Sequence, residues 1–220
     1  MEMPVDIHFI ARLLPAVLDG AVVTVELAVL AFAICLVWGF ILALAQGASV
    51  GPLRWCAYAY VQVVRNTPLL IQMYLIYFGF SMAGFGLSAF ASGLLALCVQ
   101  NGGYMAEIYR GGMQSIPGRQ FEAGRALGMR RWTLYTTVVL PQMAARIMPS
   151  LTNQAIAIVK DTAQVAAISV GDIMKVSQVW VESSANTYDV FLVVAVVYLV
   201  LTSVASLIGH LAERRFAFAQ

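Results

Sequence analysis

Long apolar segments constrain this chain more than any other feature of its sequence. Residues 21–45, 69–85, 89–105 and 190–211 carry almost no charged side chains. Each is close to or above the length of a bilayer-crossing helix, about 20 residues. The whole chain is 61% apolar and only 11% charged, roughly half the charged fraction of a soluble domain. The sequence therefore predicts an all-α polytopic membrane protein.

A fifth apolar segment, residues 147–159, is shorter and contains Asn153 and Gln154. Such a segment crosses a membrane only if its polar side chains face protein or water. Residues 54–64 mix aromatic and polar groups, which is typical of an interfacial or helix-entry segment. We therefore predict five transmembrane helices in one domain, residues 1–220, with approximate spans at 18–46, 60–83, 87–115, 141–160 and 189–212. The largest exterior region is expected at 160–189.

The distribution of basic residues indicates the orientation of the chain. All Lys and Arg residues fall on one side of the predicted bundle or at its boundary, except Arg12, Lys160 and Lys175. Because cytoplasmic loops carry an excess of Lys and Arg, the amino terminus is predicted outside and the carboxy terminus in the cytoplasm. An odd number of spans agrees with this orientation. The net charge of +2 gives no indication of nucleic-acid binding.

The predicted cytoplasmic loop between the third and fourth spans, residues 116–131, has a distinctive pattern. It contains Gln120-Phe121-Glu122-Ala123-Gly124, then Leu127-Gly128, and Leu140-Pro141 follows in the next span. Residues 119–127 predict about two helical turns with Phe121 and Leu127 as apolar contacts, ended by Gly128 in a left-handed conformation. Glu122 is expected near the positive end of this helix, and small residues at 123 and 124 allow another backbone to approach.

This loop resembles the Glu-Ala-Ala loop of bacterial ABC importer permeases. The resemblance implies the type I importer fold, in which the loop forms a cytoplasmic coupling helix between helices 3 and 4 and docks onto an ATPase subunit. The implied ATPase-coupling residues are Gln120, Phe121, Glu122, Ala123, Gly124, Leu127 and Gly128. Two positions depart from the family pattern: Arg119 stands where Gly is usual, and Gly124 stands where a second Ala is usual.

Further segments resemble polar amino acid permeases: residues 64–72 (Val-Arg-Asn-Thr-Pro-Leu-Leu-Ile-Gln), 106–112 (Ala-Glu-Ile-Tyr-Arg-Gly-Gly), Asn153-Gln154 and Lys160-Asp161-Thr162. The resemblance implies an importer in the cytoplasmic (inner) membrane of a bacterium. Its implied partners are a second permease subunit, identical or related, ABC ATPase subunits that use ATP and Mg, and a periplasmic or extracytoplasmic amino-acid-binding protein. The chain itself is expected to bind no cofactor.

Polar residues inside the predicted spans are candidates for the substrate pathway, because a charge at bilayer depth must face protein or a water-filled cavity. Those on the third span share or adjoin one helical face, and those on the fourth lie towards its outer end. The candidates are Asn101, Tyr104, Glu107, Asn153, Gln154, Lys160 and Asp161. Alternatively, Glu107 pairs with Arg110 and Lys160 with Asp161, so that these residues join helices; the sequence leaves both interpretations open.

The sequence does not favour an enzyme. It contains no phosphate-binding Gly-Lys-Ser/Thr loop, and His8 and His210 are predicted on opposite sides of the membrane, so they form no shared metal or catalytic site. Energy is therefore expected to enter through a partner. Two other functions stay open: an ion-coupled secondary amino acid transporter or channel with Glu107 and Asp161 as ion sites, and a membrane scaffold whose basic loop anchors a soluble partner.

Overall fold

The computed structural model describes residues 6–217, and these are helical over most of their length. The first part of the chain contains α1 (Ile7–Gln46), α2 (Gly51–Arg65), α3 (Leu69–Met82), α4 (Ala89–Gln114) and α5 (Gly118–Ala126). The second part contains α6 (Arg131–Leu134), a π-helical segment (Tyr135–Val139), α7 (Leu140–Asp161), a 3₁₀ helix (Thr162–Ile168), α8 (Ile173–Ser184) and α9 (Thr187–Ala217). The all-α prediction is confirmed.

Helices α1 and α9 are each long and apolar enough to cross a membrane. The 40 residues of α1 correspond to about 60 Å, twice the thickness of the hydrocarbon layer, about 30 Å. The helix begins at Ile7, well before the predicted start of the first span at residue 18. Its first turns bury Phe9, Leu13 and Val17 against α8 and α9. They therefore belong to the packed bundle.

The predicted second span, 60–83, is a broken helix. Residues 54–64, predicted to be interfacial, lie in α2, which buries Ala57, Val61 and Val64. Pro68 follows three residues after the end of α2 and precedes α3. Proline disfavours the helical conformation of the residue before it and lacks an N–H donor, so it interrupts the helix at this point.

The residues predicted as the fourth span, 141–160, lie within a longer helical stretch. It begins at Arg131 and continues through the π-helical segment into α7, whereas the span was predicted to start at 141. The N–H of Leu140 donates to the carbonyl of Tyr135, a π-type bond. Pro141 follows directly, and its ring would clash with the carbonyl four residues earlier in a regular α-helix. The π-helical turn is wider than an α-helical turn, so it makes room for the proline ring, and the helix continues past Pro141.

The predicted exterior region, 160–189, is folded against the bundle. It contains the 3₁₀ helix and α8, whose first turn is capped by Asp172: the backbone N–H of Lys175 donates to Asp172 Oδ1 over 3.0 Å. On α1, a Cβ atom at Gly20 would lie 3.0 Å from the backbone carbonyl of Asp172. A side chain at this position would push the two backbones apart, so glycine favours this close approach. The start of α8 is therefore fixed directly on α1.

The central helix α4 is close to α1 and α2 at Gly102 and Gly103. A Cβ atom at Gly102 would overlap the ring of Trp38, and one at Gly103 would overlap Val64. Small residues permit close helix packing where no hydrophobic force operates between helices in lipid. This packing brings the polar face of α4 beside the break between α2 and α3.

Candidate functional site

Helix α5 occupies the loop in which a coupling helix was predicted, and its end has a well-defined geometry. Gly128 has a φ of +69°. Its N–H donates to Arg125 O, and the N–H of Met129 donates to Gly124 O, each over 3.0 Å. These two bonds form a Schellman motif, which satisfies the last carbonyls of a helix. The predicted left-handed end at Gly128 is confirmed.

One face of α5 packs against its own chain. The ring of Phe121 meets that of Tyr135 edge-on, with 5.9 Å between centroids. Gly124 is buried, and a Cβ atom there would overlap the side chain of Leu134. The close approach expected at Gly124 is thus made by a side chain of α6. Because both contacts lie at the start of the helix that leads into α7, α5 is attached to that helix.

The opposite face of α5 is exposed. It presents Glu122, Ala123 and Leu127, with Leu127 80% exposed. The first turn of α5 contains no acidic residue, because the helix begins at Gly118 and Glu122 falls in its second turn. The expectation that Glu122 lies near the positive end of the helix dipole is therefore wrong. Gln120 is partly buried. Sequence reasoning missed Trp132, which is 79% exposed on α6, the helix that follows α5; an isolated tryptophan in a basic loop is the signal that could have indicated it.

A polar cleft of about 460 Å³ lies between α4 and α7. Of the predicted pathway residues, it contains Tyr104, Glu107 and Gln154. It also contains polar residues that were not among the predicted pathway residues: Arg65, Ser115, Arg146 and Ser150. The guanidinium of Arg146 donates to the carbonyl of Ser115, so it joins α7 to the end of α4.

One carboxylate in this cleft is shared by two guanidinium groups. Glu107 lies 2.5 Å from Arg110 and 3.7 Å from Arg65, and Gln46 Nε2 donates to it over 3.4 Å. The Arg65 guanidinium also lies 5.2 Å from the centre of the Tyr104 ring. The pairing of Glu107 with Arg110, one of the two interpretations left open, is present. Two guanidiniums contact this one carboxylate, and Arg146 also lines the cleft, so the cleft has excess positive charge that suits an anionic group.

Asn101 joins α4 to α7 through a fully buried amide. Gln154 Nε2 donates to Asn101 Oδ1 over 2.5 Å. Asn101 Nδ2 lies 3.4 Å from Asp161 Oδ2 and also donates to Leu97 O. Lys160, in contrast, is exposed and forms no ion pair with Asp161 in residues 6–217. Asn153 is exposed as well. Of the predicted pathway residues, Asn101, Gln154 and Asp161 thus form one hydrogen-bonded network, whereas Lys160 and Asn153 are exposed.

Side-chain amides bond to the backbone at the break between α2 and α3. Gln72 Nε2 donates to Val64 O over 2.7 Å and to Thr67 O over 3.0 Å, and Gln100 Nε2 donates to Thr67 O over 3.1 Å. These carbonyls have no partner within a helix that ends here. In membrane proteins, such irregular backbone is tolerated where it is buried in protein or lines a cavity. Sequence reasoning missed the role of Gln72, although a glutamine four residues after Pro68 could have indicated it.

Known proteins resemble this chain over most of its length. Residues 35–218 match the family described as "binding-protein-dependent transport system inner membrane component". The chain is 35% identical over 212 residues to the glutamate/aspartate import permease protein GltK of Escherichia coli O157:H7, covering 93% of this chain and 95% of that protein. It is 34% identical over 205 residues to the L-cystine transport system permease protein TcyB of Bacillus subtilis strain 168, covering 91% and 86%.

A solved structure has the same fold. The crystal structure of an amino acid ABC transporter with histidines superposes with a TM-score of 0.90 at 33% identity, covering 97% of this chain and 100% of that chain. The family is that of the membrane component, so this chain is a transport subunit and not itself an ATPase. The chain belongs to the family of inner membrane components of binding-protein-dependent transport systems, and within that family to the permease subunits of amino acid ABC importers.

Proposed function

We propose that this chain is the permease subunit of an ATP-driven importer that moves polar amino acids across a bacterial cytoplasmic membrane by alternating access. The observation that carries the proposal is the geometry of α5. Its inner face is attached to the chain at Phe121 and Gly124, while Glu122 and Leu127 are presented outward. A short exposed helix that is firmly attached to the bundle suits a docking site for an ATPase subunit.

The attachment of α5 also supports a route by which its movement reaches the substrate. Tyr135 and Leu134 contact α5 at the start of the helix that runs through the π-helical segment into α7. Helix α7 carries Arg146, Ser150 and Gln154 of the polar cleft. A displacement of α5 therefore moves one wall of the cleft. Transport is driven only if the substrate binds differently in the two positions.

The chemistry of the cleft supports a zwitterionic substrate. Arg65 and Arg146 offer guanidinium groups to a carboxylate, and Gln154 offers an amide oxygen to an ammonium group. Asp161 lies outside the cleft lining and is joined to Gln154 through Asn101. We retain Asn101, Tyr104, Glu107, Asn153, Gln154, Lys160 and Asp161 as pathway residues, and we add Arg65 and Arg146. The names of the relatives above refer to glutamate, aspartate and cystine, so we infer polar amino acids as the class.

The proposal includes partners and a topology. A second permease subunit, identical or related, forms the other side of the pathway; ATPase subunits use ATP and Mg; and a periplasmic or extracytoplasmic amino-acid-binding protein delivers the substrate. The amino terminus lies outside and the carboxy terminus in the cytoplasm. The chain crosses the membrane five times, and α2 and α3 together form the second span. Helix α5 is the cytoplasmic coupling helix.

The coupling role is tested by the variants Glu122→Lys and Gly128→Asp in the assembled transporter. The first reverses a charge on the exposed face, and the second places a side chain at a φ of +69°, which costs a non-glycine residue about 1–2 kcal/mol. We expect both variants to abolish uptake and substrate-stimulated ATP hydrolysis while the permease stays in the membrane.

Glu182→Lys is the matched control, because it makes the same charge reversal at an exposed glutamate of α8, away from α5. Uptake by this variant should match that of the wild type. Normal transport by both Glu122→Lys and Gly128→Asp would remove the support for coupling through α5.

A further inference from the structure

A second cavity, of about 500 Å³, lies at the end of the bundle that carries α5. It is enclosed by the last turns of α1 and α4, by α2, and by the helix that follows α5. Its lining combines apolar side chains with aromatic hydroxyls and two guanidiniums: Phe40, Leu44, Tyr58, Arg110, Arg131 and Tyr135. Its lining is separate from that of the polar cleft between α4 and α7, although two of its residues, Gln46 and Arg110, contact Glu107 of that cleft.

The two guanidiniums of this cavity differ in their partners. Arg110 is paired with Glu107 at 2.5 Å, and its Nη1 donates to Gln114 Oε1 over 3.0 Å. Arg131 has no acidic partner in residues 6–217; its guanidinium lies 5.8 Å from the centre of the Tyr135 ring. A planar guanidinium next to an aromatic face keeps its donors available for a phosphate. The cavity therefore contains one positive charge that forms no ion pair with any acidic side chain of residues 6–217.

The apolar wall of the cavity is continuous with the lipid-facing surface of α1. Phe40 and Leu44 are 40% and 60% exposed, and Val37 and Ile41 on the same helix are 63% and 48% exposed. In a membrane protein, large exposed apolar side chains lie against acyl chains, because the bilayer is the apolar solvent there. The cavity thus opens towards lipid on one side and ends at Arg131 on the other.

We infer that this cavity binds an anionic phospholipid. The phosphate lies at Arg131, in a lining that also contains the hydroxyls of Tyr58 and Tyr135, and an acyl chain lies along Phe40 and Leu44. Basic pockets between transmembrane helices at a membrane boundary hold the headgroups of anionic lipids, and arginine binds phosphate through two parallel hydrogen bonds. The bound lipid bridges the end of α1 to the helix that follows α5.

The test measures lipid retention by the full-length chain purified in a mild detergent. The probes are phosphatidylglycerol and phosphatidylcholine with the same acyl chains, quantified by native mass spectrometry. We expect the wild type to retain phosphatidylglycerol preferentially and Arg131→Gln to lower that retention about five-fold, since one basic residue near a membrane surface contributes about that factor. Arg131→Lys should keep much of the binding.

Arg130→Gln is the matched control, because Arg130 is the exposed neighbour of Arg131 and does not line the cavity; its retention should equal that of the wild type. If Arg131→Gln fails to fold, as judged by thermal melting, Leu44→Trp, which fills the apolar wall, should lower retention instead. Equal retention by Arg131→Gln, or equal retention of the two lipids, overturns the inference. Displacement by inorganic phosphate alone would indicate a site for a soluble anion and would also overturn it.

Discussion

At the scale of single residues, a buried carboxyl in the outer region makes an unusual set of contacts. Asp172 is fully buried, and its Oδ1 caps α8. Its Oδ2 has no hydrogen-bond partner in the described residues, although Thr24, which accepts a bond from Ile173 N, lies beside it. Burial raises the pKa of Asp172 to about 6, and bonds from the backbone N–H groups at the start of α8 partly oppose this rise.

We therefore expect Asp172→Asn to stabilise the protein near neutral pH. The folded carboxyl has a raised pKa, so the free energy of unfolding of the wild type falls as the pH rises from about 3.8 to about 6, and it stays at the lower value above that range. The rise from 3.8 to about 6 corresponds to about 3 kcal/mol at most. Asparagine keeps the oxygen that caps α8. The apparent melting temperature in detergent should be higher for the variant near pH 8, by a few degrees, and equal to that of the wild type near pH 4.

The exposed Asp19 of α1 provides the control, because Asp19→Asn should leave the melting curve unchanged at either pH. A lower melting temperature for Asp172→Asn across the whole range would contradict the assignment.

A second residue-scale prediction separates helix-joining residues from exposed pathway residues. Asn101→Leu breaks the buried bonds to Gln154 and Asp161 and leaves their polar groups unsatisfied, which costs about 1–3 kcal/mol. We expect it to lower the melting temperature. Lys160→Ala and Asn153→Ala remove exposed side chains and should change the KM for uptake without changing melting. A lowered melting temperature for Lys160→Ala would indicate a structural role for it.

At the scale of elements, the break between α2 and α3 was the least predictable feature. The aromatic and polar side chains of residues 54–64 are typical of a segment at the membrane interface. The same pattern also fits a helix that packs on a polar partner, and the sequence does not distinguish the two. The buried positions Ala57, Val61 and Val64 face α4, which is distant in sequence. The carbonyls freed at the break are satisfied by glutamines from α3 and α4, and such contacts cannot be read from periodicity.

The break leads to a prediction for Gln72. Gln72→Leu should destabilise the protein by about 1–3 kcal/mol, because it leaves the buried carbonyl of Val64 without its side-chain donor. The carbonyl of Thr67 keeps its bond from Gln100. Gln62→Leu is the control: Gln62 is exposed, and Asn66 Nδ2 still bonds to its backbone carbonyl over 2.7 Å. Comparison of thermal melts tests this. Equal melting of the two variants would mean that the carbonyls find other donors.

Helix α5 was predicted more closely, because its end signal is local. Gly128 is the glycine that a left-handed helix end requires, and the predicted start at 119 is one residue from Gly118. The sequence could not show which apolar residue faces inward. Phe121 packs on Tyr135, whereas Leu127 is exposed. Which of these two side chains is packed depends on the position of α6, and α6 approaches α5 only in the folded chain.

At the scale of the whole molecule, the helix from Arg131 to Asp161 joins the two candidate sites. Its start contacts α5, and its later turns form one wall of the polar cleft. Length and composition predicted the membrane-spanning segments, but not that Arg65 and Glu107 meet in the cleft. Arg65 lies at the end of α2, beside α4.

The central claim is that work from a partner's ATP hydrolysis enters this chain through α5. The most direct measurement is amino acid uptake into proteoliposomes that contain this permease, with and without its ATPase subunits and binding protein. We expect uptake only when the ATPase, the binding protein and ATP with Mg are all present, and none from a sodium or proton gradient alone. Uptake by the permease without ATPase subunits, driven by an ion gradient, would contradict the account.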